Sequence, residues 1–383
     1  MALRFLLDAL DETHHVSVAT EFCKRVRFRK STCQICLDVC PDNAITLSPG
    51  PSINDNCTNC GLCQNACPTE VFQNGVSMDQ LLLKQVESLL SKDRTASNKK
   101  ELFIHCSQAE KQDKESLAVP CLGNISENFF LGAALSGLDE VNLTKGHCSH
   151  CHLKNGEALL TNAMTTFQAM VENIVTEEFA LSLRQEPRDN DVDAPSTRRE
   201  FFSKIVHRAT GDATATLSEQ ADGEITNVQL EIGDGTRLSP KREMLRKLIE
   251  QNGRDNANVD AKEQASPWKK MKVDEGNCVA CGICVNVCPT GALTKTFESN
   301  QIVRHLNYSV CTNCYLCQEA CPESVISFKG NYDVTDLVED KKHVVARIDM
   351  SSCVICGEII IAGRGELCTT CDKRQISPMF MTV

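Results

Sequence analysis

The chain is poor in the residues that fill large cores. One tryptophan, three tyrosines and fourteen phenylalanines serve 383 residues. That scarcity argues against one large domain and for small units whose interiors are partly replaced by metal sites. Long apolar runs are also missing: no stretch of 18 apolar residues occurs, so no integral membrane segment is expected. Met1–Leu10 is too short and too acidic for an export signal, and the expected location is cytoplasmic. With 51 acidic against 40 basic residues, the formal charge is −11, which argues against nucleic acid as the main partner. No Gly-rich nucleotide fingerprint, flavin motif or hydrolytic constellation is found, so the chain is not expected to carry a substrate site of its own.

Cysteine is what the chain has in quantity, 24 residues in all, mostly at spacings of two and three that suit metal rather than disulfides. One run reads Cys278-x2-Cys281-x2-Cys284-x3-Cys288-Pro289 and a second Cys311-x2-Cys314-x2-Cys317-x3-Cys321-Pro322. Three thiolates on a tight loop cover one face of a cubane, and the fourth must arrive from elsewhere. Zinc would take only four ligands, usually as two separated pairs. The two runs resemble the bacterial two-cluster ferredoxins, in which the fourth Cys of each run ligates the other cluster. The resemblance implies one 4Fe–4S cluster on Cys278, Cys281, Cys284 and Cys321, and another on Cys288, Cys311, Cys314 and Cys317.

A second such unit lies near the start. Cys57, Cys60, Cys63 and Cys67-Pro68 form a complete run, preceded by a damaged one, Cys33-x2-Cys36-x3-Cys40-Pro41, with Lys30 where the first Cys should be. Cys23 stands seven residues further upstream, heading a basic run of Lys24, Arg25, Arg27, Arg29 and Lys30. In one reading Cys23 supplies the missing ligand beside Cys33, Cys36 and Cys67. In the other it is a buried free thiol, and that site holds 3Fe–4S or nothing. Cys40, Cys57, Cys60 and Cys63 are expected to hold the other cluster. The basic run either offsets cluster charge or is a solvated face. If the two units differ in potential, the altered one is where the difference is expected. Gly61 and Gly282 sit inside their loops, where missing side chains let backbone N–H groups approach sulfur. Tyr315 takes the matching place in the last run, and different hydrogen bonding there is expected to shift its potential. Leu3, Leu6, Leu7 and Leu10 predict a short amphipathic helix packed on this first unit.

Between the units the pattern changes. Residues 77–92 predict a helix with Met78, Leu82, Val86 and Leu89 on one side and Ser77 as cap. Short β runs at Leu102–His105, Leu117–Pro120 and Val141–Thr144 alternate with helices at Ser126–Ser136 and Gly156–Ile174. Ligands of open α/β sheets bind beyond the carboxyl ends of parallel strands, and each of these three strands delivers cysteine there: Cys106, Cys121, then Cys148 and Cys151. The stretch VPCLGNISENFFLGAALSGLDEVNLTKGHCSHCHLKNG resembles the delta subunit of methyl-viologen-reducing hydrogenases, over residues 101–175. That resemblance implies a 2Fe–2S centre on these four cysteines. Zinc, no metal, and a haem on Cys148-Ser149-His150-Cys151-His152 stay open. His147, His150 and His152 read most simply as polar loop residues, with mixed Cys/His ligation as the alternative.

Residues 185–270 lose periodicity and read as linker, with short helices near Arg198–His207 and from Ser239-Pro240. The twin-arginine-like Thr197–Phe202 lies mid-chain and reads as part of the first. Trp268 is expected to anchor the linker to the second unit. Last come Cys353, Cys356, Cys368 and Cys371, two knuckles resembling a zinc ribbon; a rubredoxin-type iron has the same ligands.

The expected fold is therefore α+β and multidomain: a dicluster ferredoxin-like unit (1–76), a central α/β domain with a parallel sheet (77–184), a linker (185–270), a second dicluster unit (271–330) and a zinc-ribbon-like β-hairpin (345–383). The expected function is electron relay, through four 4Fe–4S clusters and a central 2Fe–2S centre, as subunit or partner of an oxidoreductase complex. Alternatives are a non-catalytic maturation or assembly factor for a metalloenzyme, and a reductase doing thiol or disulfide chemistry at the central cysteines.

Overall fold

A parallel sheet needs strands that are apolar on both faces, and the middle of the chain supplies them. The computed structural model describes residues 16–73, 75–92, 99–109, 116–174, 178–186, 231–232, 236–252, 268–331 and 334–376. The helices predicted at Leu3–Leu10 and Arg198–His207 fall outside these residues. Strands β1 (Glu101–Cys106), β2 (Leu117–Val119), β3 (Glu140–Lys145) and β4 (Ala180–Gln185) form one sheet in the order β2-β1-β3-β4, all parallel. The sequence reading names the first three within a residue or two and misses β4. Its outer side chains alternate only weakly between half-buried and exposed, as an edge strand allows.

Helices α1 (Met78–Lys92), α2 (Glu127–Leu135) and α3 (Gly156–Ile174) complete this domain. Ser77 caps α1 by a reciprocal box: its Oγ accepts from the Gln80 N–H at 3.3 Å, and its N–H donates to Gln80 Oε1 at 3.0 Å. Ser126 caps α2, its Oγ accepting from the Asn128 N–H. The buried Asp79 of α1 accepts from the Ser126 N–H at 2.9 Å, which ties the two helices together. The few aromatic rings are concentrated here. Phe129 and Phe130 lie 5.4 Å apart, Phe130 and Phe167 5.8 Å, Phe167 and Phe179 5.5 Å. This is the conventional core of the chain, and the ferredoxin units on either side have little of their own.

The first unit is built of short pieces. Ser17–Val18 pairs with Phe72–Gln73, and Ile45–Thr46 with Ser52–Ile53, both antiparallel. In the second unit Lys269–Val273 pairs with Ile326–Asn331. Between those strands β5 (Leu293–Glu298) and β6 (Gln301–Asn307) form a hairpin that continues through β7 (Lys342–Ser352) to β8 (Ile359–Ile361). Strand β7 thus belongs both to a sheet of the second unit and to the C-terminal hairpin, and α5 (Thr369–Ile376) follows.

The largest departure from a linker is α4 (Pro240–Asn252), whose start at Ser239-Pro240 is as expected. Ser239 Oγ accepts from the Arg242 N–H at 3.3 Å. Two cations in the first turn oppose the helix dipole, yet both are engaged. Lys241 Nζ donates to the backbone and side-chain oxygens of Asn65 at 2.7 and 2.6 Å, and its N–H donates to Glu70 Oε2 at 2.9 Å. Arg242 Nη2 donates to the Cys311 carbonyl at 2.5 Å. From the central domain Asn128 Nδ2 donates to the Lys241 carbonyl at 2.9 Å. One helix therefore holds all three units. Trp268 packs on the shared core with the Arg242 guanidinium 5.2 Å from its ring centre. Leu245 and Ile249 of α4 are buried in the same core. Replacing Leu245 with Ala should cost about 2–5 kcal/mol, seen as a lower urea midpoint by far-ultraviolet circular dichroism. An unchanged midpoint would mean that α4 contributes nothing to the fold.

Candidate metal centres

Each complete cysteine run folds alike. The third Cys rides on a one-turn helix: Cys63 on Leu62–Ala66, Cys284 on Ile283–Asn286, Cys317 on Leu316–Glu319. Two left-handed residues precede each helix, Asn59 and Gly61, Ala280 and Gly282, Asn313 and Tyr315. Such alternation turns successive N–H groups to one side and makes an anion nest. The two glycines are thus explained by positive φ, +76° and +79°, a reason different from simple close approach. At Gly61 a second constraint applies, since a Cβ there would meet Asn124 Nδ2 at 2.2 Å. Tyr315 takes the same backbone shape at φ +60°, its ring edge-on to Phe328 at 4.9 Å.

The geometry brings cysteines of the separate runs together. Cys278, Cys281, Cys284 and Cys321 line one cavity, and Cys40, Cys57, Cys60 and Cys63 another. In the third set, burial pushes the thiols of Cys311 and Cys314 up to about 12 and about 11, and Cys288 raises both further. Burial raises Cys317 too, reinforced by Cys311, Cys314 and Cys288. The damaged run is completed in space. Lys24–Arg27 makes a short helix with Cys23 as its N-cap, and a turn at Arg29 and Lys30 brings the chain back. Cys23 is buried in a cluster with Cys36, against which Cys40, Cys63 and Cys67 pack. Burial pushes the Cys36 thiol up to about 12, with Cys67, Cys33 and Cys23 adding to it. The matching left-handed residue is absent here, for Gln34 sits at φ −142°.

In the central domain Cys106, Cys121, Cys148 and Cys151 line a single cavity at the carboxyl edge of the sheet. Backbone N–H groups of Gly146, Gly123 and Leu153 donate to the sulfurs of Cys106, Cys121 and Cys151 at 3.3, 3.4 and 3.3 Å. Burial pushes the Cys121 thiol up to about 12 and raises those of Cys148 and Cys151. Gly156 backs the site: a Cβ there would stand 2.3 Å from Cys121 Sγ. His152 Nε2 lies 2.7 Å from Asp42 Oδ1 of the first unit, which leaves it no role as a haem ligand. His147 lines the cavity, its Nδ1 2.9 Å from Gln185 Nε2.

The C-terminal quartet differs in kind. Among the described residues, only Cys353, Cys356, Cys368 and Cys371 bring three or more ligand atoms within 4.8 Å of one another. A tetrahedral zinc with Zn–S near 2.3 Å sets sulfurs about 3.8 Å apart, so this donor set fits a single ion. Cys353 is held down at about 6 by backbone N–H groups, that of Cys368 first. The first knuckle closes the β7–β8 hairpin, whereas the second opens α5 rather than a second hairpin.

The sites adjoin one another. Leu62 of the first unit stands between its Cys57–Cys63 loop and Gly156 of the central site. Asn65 Nδ2 donates to the carbonyls of Gly123 and Ile125 at 2.8 and 3.2 Å. Inside the first unit Cys63 packs against the cluster that holds Cys23 and Cys36. The basic run is a docking surface: Arg27 Nη2 donates to the carbonyls of Asn286 and Cys288, and Lys24 Nζ lies 3.1 Å from Glu319 Oε2. Thr32 N–H donates to Glu319 Oε1 at 2.8 Å, and Phe28 packs on Val287, Leu316 and Ala320. Inside the second unit Cys284 and Cys317 pack against the same core. Cys278 then packs on Ala346 and Ile348 of β7, and Arg364 Nη2 donates to the Gly276 carbonyl at 2.7 Å.

Sequence reasoning passes over two arginines at these sites. Arg304 lines the cavity of Cys278, Cys281, Cys284 and Cys321; its signal is a cation inside the otherwise apolar half of β6. Arg242 is signalled by a basic first turn where acidic residues are favoured.

Comparison with known proteins agrees with this architecture. The 4Fe-4S dicluster domain family matches residues 270–322, and also 31–71 and 247–292. The family of the methyl-viologen-reducing hydrogenase delta subunit matches residues 106–207. An uncharacterized ferredoxin of Methanocaldococcus jannaschii is 37% identical over 57 residues, 15% of this chain and 74% of that protein. The pyruvate synthase subunit PorD of Methanothermobacter marburgensis is 29% identical over 18% of this chain and 78% of its own. The H2:CoB-CoM heterodisulfide, ferredoxin reductase of Methanothermobacter thermautotrophicus has a subunit that is 34% identical, over 15% of this chain and 39% of its own length. The chain belongs to the ferredoxin-type 4Fe–4S dicluster proteins, iron–sulfur proteins of electron transfer, and joins to them a domain of the hydrogenase delta-subunit family.

Proposed function

We propose that the chain is a five-station electron wire belonging to a larger oxidoreductase complex. Four 4Fe–4S clusters would be held by the quartets Cys23/Cys33/Cys36/Cys67, Cys40/Cys57/Cys60/Cys63, Cys278/Cys281/Cys284/Cys321 and Cys288/Cys311/Cys314/Cys317. A 2Fe–2S centre would be held by Cys106, Cys121, Cys148 and Cys151, and zinc by the C-terminal quartet. When bound, such clusters supply one-electron redox chemistry. The observation that carries this reading is the adjacency of the sites: Leu62 joins the Cys57–Cys63 loop to the central site, Cys63 packs on the cluster of Cys23 and Cys36, Arg27 reaches the Cys288 carbonyl, and Cys284 and Cys317 pack on one core.

The residues between stations do the positioning. Leu62 and Gly156 keep the first gap narrow and dry, and Lys24, Arg27, Thr32, Phe28 and Glu319 fix the gap between the two ferredoxin units. All-thiolate donors favour iron–sulfur chemistry, and backbone N–H groups aimed at three central sulfurs suit a charged cluster. Thiols raised by burial are poor nucleophiles, which speaks against disulfide chemistry at Cys121, Cys148 and Cys151. The names of the relatives, heterodisulfide reductase and pyruvate synthase subunits among them, support a multisubunit oxidoreductase as the setting. The C-terminal quartet, packed behind the last station, would be structural.

Anaerobically purified protein should contain about 18 irons, a matching sulfide content and one zinc, and every iron signal should be reversibly reducible. Irons that no donor reduces would end the relay reading. Gly156→Ala should displace the Cys121 sulfur and lower the iron count to about 16, with the 4Fe–4S signals intact; an unchanged count would remove the central site from the scheme. Cys23→Ser should convert one 4Fe–4S signal to a 3Fe–4S signal or delete it, and four undisturbed cubane signals would leave Cys23 a free thiol. Cys353→Ser with Cys371→Ser should abolish zinc while leaving iron unchanged, as metal analysis would read.

A further inference from the structure

Arginine is almost never fully buried unless it is paired. Among the described residues two Lys or Arg side chains are buried, Arg304 at 2% exposure and Arg242 at 5%. Both lie in or against the second ferredoxin unit, one at each of its cysteine quartets. Arg304 shares a cavity with Cys278, Cys281, Cys284 and Cys321, and its Nε and Nη1 are buried without a hydrogen-bond partner. Apart from Glu323, which is exposed to solvent, the rest of that wall is apolar, Met271, Val273, Leu293 and Val345 among it, so the buried guanidinium is weakly screened. Burial raises the Cys284 thiol, and the Arg304 charge is the main influence against it. Arg242 binds the Cys311 carbonyl through Nη2 while its Nη1 stays buried and without a partner. The Arg242 charge likewise acts against the burial that raises Cys311.

We propose that Arg304 and Arg242 are fixed counter-charges, one for each quartet of the second unit, and that they raise the reduction potentials there above those of the first unit. A cluster on four thiolates is anionic and gains one more negative charge on reduction, so a buried cation with free N–H donors favours the reduced form. The first unit has no fully buried cation among its described residues: Lys24 is paired with Glu319, and Arg25, which donates to the Cys33 carbonyl at 2.7 Å, is only partly buried. Electrons entering at the central site would therefore run downhill toward the Cys278 end. This inference rests on the quartets holding clusters.

The test is a redox titration of the full chain, followed by EPR, with iron and sulfide measured on every variant. Arg304→Gln should lower the midpoint of one 4Fe–4S signal and leave the others in place, and Arg304→Lys, which keeps the charge, should lower it less. Arg242→Gln should lower a different signal. Full iron content with every midpoint unchanged overturns the inference while leaving the cluster reading intact. A parent protein without iron overturns the cluster reading itself. Should Arg304→Gln lose its cluster, the parent labelled with 15N-arginine decides. Pulsed EPR of its reduced second unit should detect a 15N coupling that Arg304→Lys abolishes, and the absence of that coupling in the parent counts against the role.

Discussion

Everything in this fold depends on holding thiolate quartets in a chain that has little else to bury. A quartet requires sharp backbone turns and N–H groups directed at sulfur, and it tolerates a small hydrophobic core because metal–thiolate bonds replace it. The one-turn helices with left-handed residues ahead of them meet that demand in the ferredoxin units. The carboxyl edge of a parallel sheet meets it in the central domain. The rings of Phe129, Phe130, Phe167 and Phe179 are gathered in the central domain, and both ferredoxin units lean on it through α4 and Asn65.

Much of the fold and of the quartets was legible because cysteine spacing is itself geometry. The x2-x2-x3 runs and the strand-end cysteines predict quartets; three of them each line one cavity, and Cys23 is buried beside Cys36 and Cys67. Helix α3 is read to the residue, and α1 and β1 within one or two. What escaped notice is what spacing does not encode. Strand β4 has an exposed, weakly patterned edge. Helix α4 looks like one short amphipathic segment in a polar linker, and only its partners on three units show its importance. Strand β7 crosses from the second unit into the C-terminal hairpin because its pairing with β6 is long-range.

The two ferredoxin units also differ in a direction the motifs do not suggest. The missing first Cys at Lys30 draws attention to the first unit, where a short helix and turn return Cys23 to its partners. The intact second unit carries the electrostatic peculiarity, two buried guanidinium groups against cysteine sites. Of the basic run of the first unit, Lys24 and Arg27 are spent on docking, while Arg25 donates to the Cys33 carbonyl. Ligand completeness and charge environment are separate properties, and the motif reports only the first.

Helix α4 bears finally on the order in which the molecule is made. It begins at Pro240, behind every cysteine of the first unit and of the central sheet. A chain growing from its N-terminus folds its early domains first, so the cysteines of three of the six quartets are made before the helix leaves the ribosome. Until then Glu70, Asn65 and Asn128 face water in place of Lys241. The second unit is thus the late arrival, fitted to a half already built.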